Sequence, residues 1–511
     1  MLSIIKSMGL NGLEGYLVDV QVDVSAGLPA WEIVGLPDAS VKEAKERVKT
    51  AIKNSGFDFQ SKRIVVNLAP ANTKKEGSIY DLPIAIGILD AMENIQNNNL
   101  EKYLFLGELS LDGTLNQIKG VLPMCIEAKK LGIKTIILPE QNSAEASIVS
   151  NVDIIPAQNL VDVVGFLNKA IKIEPVKTDV SKFLNSNDRS IYDFSEVKGQ
   201  ENVKRALEVA AAGGHNCLLI GNPGSGKTMI SRRVPTILPD LTFEEALEIT
   251  KIHSVAGLLP NNTPIINIRP FRAPHHTISG VSLAGGGKIP KPGEISLAHY
   301  GILFLDELPE FNKHTLEVLR GPLEDREVTI SRVNGTHTYP ANFMLIASMN
   351  PCPCGYYGSK TKECTCSPQA ISNYMGKISG PLLDRIDICI EVNDVEYSKL
   401  NNSAAIESSE IIKERVNSAR KLQTERYKNY NIFSNSELTP RLIEKFCNID
   451  DKCQSVLKNA FEKLKLSARA YGRILKLART IADLDNKEEI QINHIAEAIQ
   501  YRSIDKKYWR N

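Results

Sequence analysis

The 511-residue chain lacks several features that would place it quickly. It has no excess charge of one sign: 61 Lys and Arg against 60 Asp and Glu leave a formal net charge of +1. Binding to nucleic acid or membrane would therefore have to use local patches rather than a global field. No run approaches the roughly 18 apolar residues of a spanning helix, and the opening MLSIIKSMGLNGLEGY is too short and too polar for a signal peptide. A cytoplasmic location is expected. Cysteine is scarce, nine in all, and in a reducing compartment that argues against a disulfide framework. Low-complexity bias is absent too: 42% hydrophobic and 24% charged residues describe a folding chain, too long for one core and expected to form about three domains.

What is present divides along the chain into an α/β fold of three parts. Residues 1–172 alternate β-like runs (YLVDVQVDV, RIVVNLAP, TIILP, VDIIPA) with helical patterns (SVKEAKERVKTAIKNSG, DLPIAIGILDAMENI, VLPMCIEAKKLG), as an α/β domain does. Periodicity is lost over 173–195, which reads as a linker. Over 196–395 short apolar runs ending in Gly or acidic residues (NCLLIG, GILFLDE, FMLIASMN, ICIEV) suit a buried parallel sheet with its ligand at the strands' carboxyl ends. Residues 396–511 are almost wholly helical in pattern.

The strongest local signal is GNPGSGKT at 221–228, directly after the apolar strand CLLI. Gly221, Asn222, Pro223, Gly224, Ser225 and Gly226 form a loop whose backbone N–H groups can curl around phosphates. Lys227 brings a positive charge toward the β and γ phosphates, and Thr228 offers a hydroxyl to Mg²⁺. Downstream, ILFLDE delivers Asp306 and Glu307 at the end of a buried strand. Asp306 suits Mg²⁺, and Glu307 suits the water that attacks the γ-phosphate. Standing alone, such a pair serves equally well as a helix N-cap; the Lys227 loop favours catalysis. Asn350 ends a third strand, where its amide would orient that water or act as a plain turn residue. Arg385, between Asp384 and Asp387, reads either as an internal salt bridge or as an arginine that stabilises phosphoryl charge from across a subunit boundary. Arg469, Arg473 and Lys476 share one helical face, the usual pattern of a solvated surface or, for one of them, a reach to nucleotide.

With these residues in order, the chain resembles the AAA+ ATPases of the magnesium-chelatase and MCM-helicase branch, and more closely the ComM/YifB family of magnesium-chelatase-like proteins. FRAPHHTIS, GGGKIPKPGEISLAHYGILFLDELPEF and SGPLLDRIDI carry the match. The resemblance implies an AAA+ core followed by a helical lid, in a homo-hexameric ring that hydrolyses ATP with Mg²⁺. Lys227, Thr228, Asp306, Glu307 and Asn350 would come from one subunit and Arg385, as arginine finger, from its neighbour; Arg469 would be the sensor-2 arginine. It also implies two insertions aimed at the pore. SLAGGGKIPKPGEIS carries Lys288 and Lys291, and EVTISRVNGTHTYPANF carries Arg332 on β-like arms meeting at Asn334 and Gly335, a two-residue hairpin signal. These cations would contact DNA phosphates in a salt-dependent, sequence-tolerant way, or face solvent as exposed loop charges.

The amino-terminal part resembles the proteolytic domain of Lon proteases through GELSLDGTLNQIKGVLPMCIEAKKLGIKTIILPEQN and KKEGSIYDLPIAIGIL. Where that family carries its Ser-Lys dyad, however, this chain has Ile79 and Leu122, with Ser78 and Lys119 displaced by sequence position. A dyad needs its amine at hydrogen-bond distance from the hydroxyl, so no protease activity is expected. The function implied is a hexameric helicase driving branch migration of recombination intermediates, as in natural transformation. The alternative is a chelatase-like or chaperone-like ATPase that remodels a protein partner.

Four of the nine cysteines remain to be explained, all within 350–368. Cys352, Cys354, Cys364 and Cys366 form CxC, a nine-residue spacer, then CxC, among glycines and a proline that permit tight turns. Four thiolates so spaced can enclose a tetrahedral structural Zn²⁺, which is the expectation; reduced or sporadically oxidised loop thiols are the alternative. Zinc here would staple the loop between Asn350 and Arg385.

Overall fold

The computed structural model describes the chain apart from residues 61, 98, 180–182, 184–190, 288–289, 333–334, 360–361, 395–406, 431, 465–466 and 510–511. Two compact units result, Met1–Ser186 with Phe243–Asn267, and Asn187–Thr242 with Ile268–Asn511. The middle of the expected linker, 180–182 and 184–190, falls outside the described residues. At its start, the Val176 N–H donates to the Ile154 carbonyl at 2.9 Å, tying that segment to an edge strand.

The first unit is built on a seven-stranded sheet in the order Ala30–Val34, Arg63–Ala69, Glu14–Ser25, Leu2–Asn11, Tyr103–Phe105, Thr135–Pro139, Asp153–Ala157. Leu2–Asn11 runs antiparallel to Glu14–Ser25, which runs antiparallel to Arg63–Ala69; the remaining pairs are parallel. Glu14–Ser25 alternates as a half-buried strand should, sending Val18, Val20, Val22 and Val24 inward. The helix Ala39–Asn54 starts at Asp38, whose carboxylate accepts the Val41 N–H at 2.8 Å, and buries Val41, Ala44, Val48, Ala51 and Ile52 at helical spacing. The excursion 243–267, which lies within 196–395 in chain order, packs in this unit: its helix Phe243–Ala256 lies on Val121–Lys130, and the Ser254 hydroxyl donates to the buried Glu145 at 2.7 Å.

The second unit holds a five-stranded parallel sheet ordered Phe271–Arg272, Ile302–Leu305, Met344–Met349, Cys217–Gly221, Ile388–Val392. The three central strands are buried at every residue, because helices cover a parallel sheet on both faces. Five helices of the carboxyl-terminal part, Ser409–Tyr427, Pro440–Phe446, Asp451–Leu464, Ala468–Leu484 and Ile492–Trp509, share this unit's core. A parallel-sheet core followed by a helical region is the architecture that the AAA+ resemblance implies. Among the described residues no helix is long and apolar enough to cross a membrane.

Candidate functional site

The strand Cys217–Gly221 is wholly buried and ends in a loop that needs glycine: Gly224 and Gly226 take φ of +80° and +89°, where side chains are strained. Lys227 folds back over this loop, its Nζ donating to the carbonyls of Gly221 at 2.7 Å and Asn222 at 2.9 Å, and to Asn350 Oδ1 at 3.1 Å. Burial pushes the Lys227 ammonium below its ordinary value, while Asp306, Glu307 and Asp394 pull the other way. Ser225 Oγ is buried inside the loop with no hydrogen-bond partner among the described residues, and open space lies beside Gly224. An orphaned hydroxyl, a parked ammonium and an unfilled turn together fit a phosphate chain.

Across the sheet, Ile302–Leu305 delivers Asp306 and Glu307. Thr228 Oγ1 donates to Asp306 Oδ2 at 2.6 Å, and Ser348 donates to the other carboxylate oxygen. Thr228 and Asp306, both oxygen donors suited to Mg²⁺, are thus already in contact. Glu307 takes a left-handed φ of +53°, its side chain 58% exposed and its Oε2 3.7 Å from His276 Nδ1. His276, within FRAPHHTIS, is a contact that sequence reasoning did not assign.

Arg385 and Arg469 stand apart from this cluster; among the described residues neither hydrogen-bonds to 221–228. Arg385 donates to the carbonyls of Arg320 at 2.8 Å and Pro381 at 2.9 Å and pairs with Glu324. Arg469 is largely exposed, 3.4 Å from Asp384. The other two members of the basic stripe do not face solvent. Arg473 donates to the Ile386 carbonyl at 3.2 Å and Lys476 to the Ser436 carbonyl at 2.9 Å, and burial lowers both from their ordinary values. Asn216 ties the arginine segment to the sheet, its amide donating to the Arg385 carbonyl at 2.9 Å and its backbone N–H to Asp387 at 3.1 Å.

The two insertions form antiparallel ribbons. Gly285–Gly286 pairs with Lys291–Pro292, and Glu327–Arg332 with Gly335–Pro340. They pack on one another: the Tyr339 hydroxyl donates to the Pro290 carbonyl at 2.8 Å, and a Cβ on Gly286 would lie 3.2 Å from Arg332 Nη2. Lys291, opposite Gly286, and Arg332 are exposed and so brought to one place. Lys288 and the turn residue Asn334 lie outside the described residues.

The four cysteines come together as well. Sγ separations are 3.4 Å for Cys352 and Cys354, 3.7 Å for Cys352 and Cys364, and 3.6 Å for Cys354 and Cys364, with all four within 4.8 Å. Tetrahedral zinc with its ordinary sulfur bonds sets sulfurs about 3.8 Å apart, so the donor set fits. The Tyr356 backbone N–H, helped by that of Thr365, draws the Cys354 thiol down to about 6, whereas Cys364 and Cys366, each lowered by a backbone N–H, are carried up on balance by burial and the neighbouring Cys354 and Cys352 thiols.

In the first unit Leu122 is fully buried and Ile79 packs against the core. Ser78 donates to Glu108, which also accepts from Asn116 at 3.2 Å. Lys119 lies against Gly257, where a Cβ would sit 2.5 Å from its Cε.

Comparison with known proteins agrees along the chain. The family described as magnesium chelatase, subunit ChlI, matches residues 193–400, its C-terminal counterpart matches 406–502, and a subunit ChlI family matches 20–142. The Haemophilus influenzae competence protein ComM is 45% identical over 98% of both chains, and Escherichia coli YifB is 43% identical over 99% of this chain and 98% of its own. The magnesium-chelatase 38 kDa subunit of Rhodobacter capsulatus is 27% identical over 32% of this chain and 51% of its own. The chain therefore belongs to the ComM/YifB family of magnesium-chelatase-like AAA+ proteins.

Proposed function

We propose that the chain is an ATP-hydrolysing DNA motor, assembled as a homo-hexamer, that promotes branch migration of recombination intermediates during uptake and integration of DNA. Its nearly full-length similarity to the Haemophilus competence protein carries the reading. The cluster of Lys227, Thr228, Asp306 and Asn350 supports hydrolysis. Thr228 and Asp306 would hold Mg²⁺, which when bound supplies Lewis-acid charge to the β and γ oxygens. Lys227 exchanges its carbonyl partners for those oxygens, Glu307 accepts the proton of the attacking water, and Asn350 orients that water. Arg385, donated by a neighbouring subunit, stabilises charge on the transferring phosphoryl, and Arg469 contributes from the lid. The exposed Lys291 and Arg332 contact phosphates of the strand together with Lys288. Cys352, Cys354, Cys364 and Cys366 hold a structural zinc, with no ligand position left for chemistry.

Remodelling of a protein partner in the manner of a chelatase is the second reading, favoured by the similarity to the Rhodobacter chelatase subunit, which covers a third of the chain. A four-way junction separates the two. Strand displacement by the native chain should be lost in Lys227→Ala, with ATP turnover down about 100-fold. Turnover indifferent to single-stranded or forked DNA, with no displacement at low salt, would sink the DNA motor.

A further inference from the structure

The four-cysteine loop does more than lie between Asn350 and Arg385 in sequence: it presses on the phosphate loop of its own chain. The Gly355 N–H donates to the Cys352 carbonyl at 3.0 Å, and the turn gives Gly355 a φ of +87°. A Cβ there would sit 2.5 Å from Pro223 Cδ and 2.6 Å from Cγ, so the bare backbone at 355 is what allows the two loops to meet. Four residues on, Ser359 Oγ accepts from Asn222 Nδ2 at 3.1 Å. Asn222 in turn holds Lys227 through its carbonyl, and Asn350, two residues before Cys352, holds the same ammonium. Cys352 is fully buried, whereas Cys354, Cys364 and Cys366 are half-buried.

The segment from Cys352 to Cys366 contains no helix or strand among its described residues, and its cysteines form no disulfide. A metal bound by all four thiolates would be its principal cross-link, removing conformational freedom that the loop otherwise keeps. We infer that the four-cysteine metal centre is an outer wall of the nucleotide site, holding Asn222 and Pro223 through Ser359 and Gly355, so that zinc and nucleotide bind with positive coupling. The inference rests on the zinc and ATP-site readings above and deepens both. Because coupling between equilibria is reciprocal, nucleotide must tighten zinc by the factor by which zinc tightens nucleotide.

The test uses the full chain, freshly purified under reducing conditions. It combines zinc content by plasma mass spectrometry, titration with a fluorescent ADP in excess Mg²⁺, and circular dichroism to follow the fold. Removing zinc with a zinc-selective chelator should weaken ADP at least about fivefold, zinc should restore it, and saturating ADP should strengthen zinc against the chelator by the same factor. Gly355→Ala, which keeps every thiol, should retain zinc yet bind ADP more weakly, with Ser359→Ala a smaller loss in the same direction. Zinc-free, folded protein with unchanged ADP affinity overturns the coupling and leaves both site readings standing. If zinc removal unfolds the chain, Gly355→Ala decides: full zinc with unchanged ADP affinity overturns the proposal. Fresh protein without zinc overturns the metal reading and the coupling with it, whereas zinc-loaded protein that does not bind ADP overturns the nucleotide reading.

Discussion

In the first unit Asp81 meets one guanidinium, receiving Arg47 Nε at 2.8 Å and Nη2 at 3.0 Å. In the second unit Asp387 has His215 at 3.6 Å and Arg473 at 3.7 Å, with the Lys476 charge also acting on it. Burial pushes Asp81 up to about 6 from an ordinary 3.8; Arg47 and the Leu109 N–H pull it down, and Glu108 adds to the rise. Burial pushes Asp387 up as well, but His215, followed by Arg473 and Lys476, holds it well below the ordinary carboxylate range. One well-placed cation does not offset the desolvation of a carboxylate, whereas several converging on it do.

The two sites therefore respond to pH with opposite sign. Asp81 binds its proton more tightly folded than unfolded, so its contribution to stability is full below about pH 4 and is lost as pH rises through about 6. Asp387 releases its proton more readily when folded, so its contribution is full above about pH 4 and is lost as pH falls through its depressed value.

Three substitutions probe this contrast, and the two tryptophans help, since Trp31 lies in the first unit and Trp509 in the second. The largest effect is expected for Asp387→Asn, which leaves Arg473 and Lys476 buried without their carboxylate. Unfolding of the second unit, followed by Trp509 in a Trp31→Phe background, should lose about 3 kcal/mol at pH 7. An intermediate effect is expected for Arg47→Met, about 1–3 kcal/mol at pH 7, shrinking as pH falls below about 6 because Asp81 then takes up a proton. Urea unfolding monitored at Trp31 in a Trp509→Phe background measures it, and a loss independent of pH would break the contrast. The smallest is Asp81→Asn, expected within about 1 kcal/mol of the native chain at pH 7. Its signature is a flattened pH dependence of first-unit stability between about pH 4 and 6, readable by hydrogen exchange of peptides around 81.

Contiguous stretches explain why so much of the nucleotide site was legible. The loop 221–228 and the strand before Asp306 are each set by local chemistry, and the structure joins them where the parallel sheet requires. Other parts were hidden for physical reasons. Leu2–Asn11 turns Ser3, Ile5 and Ser7 inward and leaves Leu2 and Ile4 exposed, so its hydrophobic alternation is inverted; Ser7 is tolerated because it donates to the Phe105 carbonyl at 3.0 Å. Arg473 and Lys476 read as a surface stripe because sequence shows which charges align, not that backbone carbonyls wait opposite them. The contact of His276 with Glu307 and that of Gly355 with Pro223 cross long stretches of chain, and nothing local announces them.

The helix Phe243–Ala256 has one more consequence, for the order in which the molecule is made. Translation finishes the strands of the first sheet by residue 157, yet one hydrogen-bond donor to Glu145 is Ser254, synthesised after the phosphate loop. The unit begun first on the ribosome is thus completed late, and a fragment ending at 186 would leave the ribosome with a buried carboxylate lacking one of its hydrogen bonds and a helix-sized face uncovered.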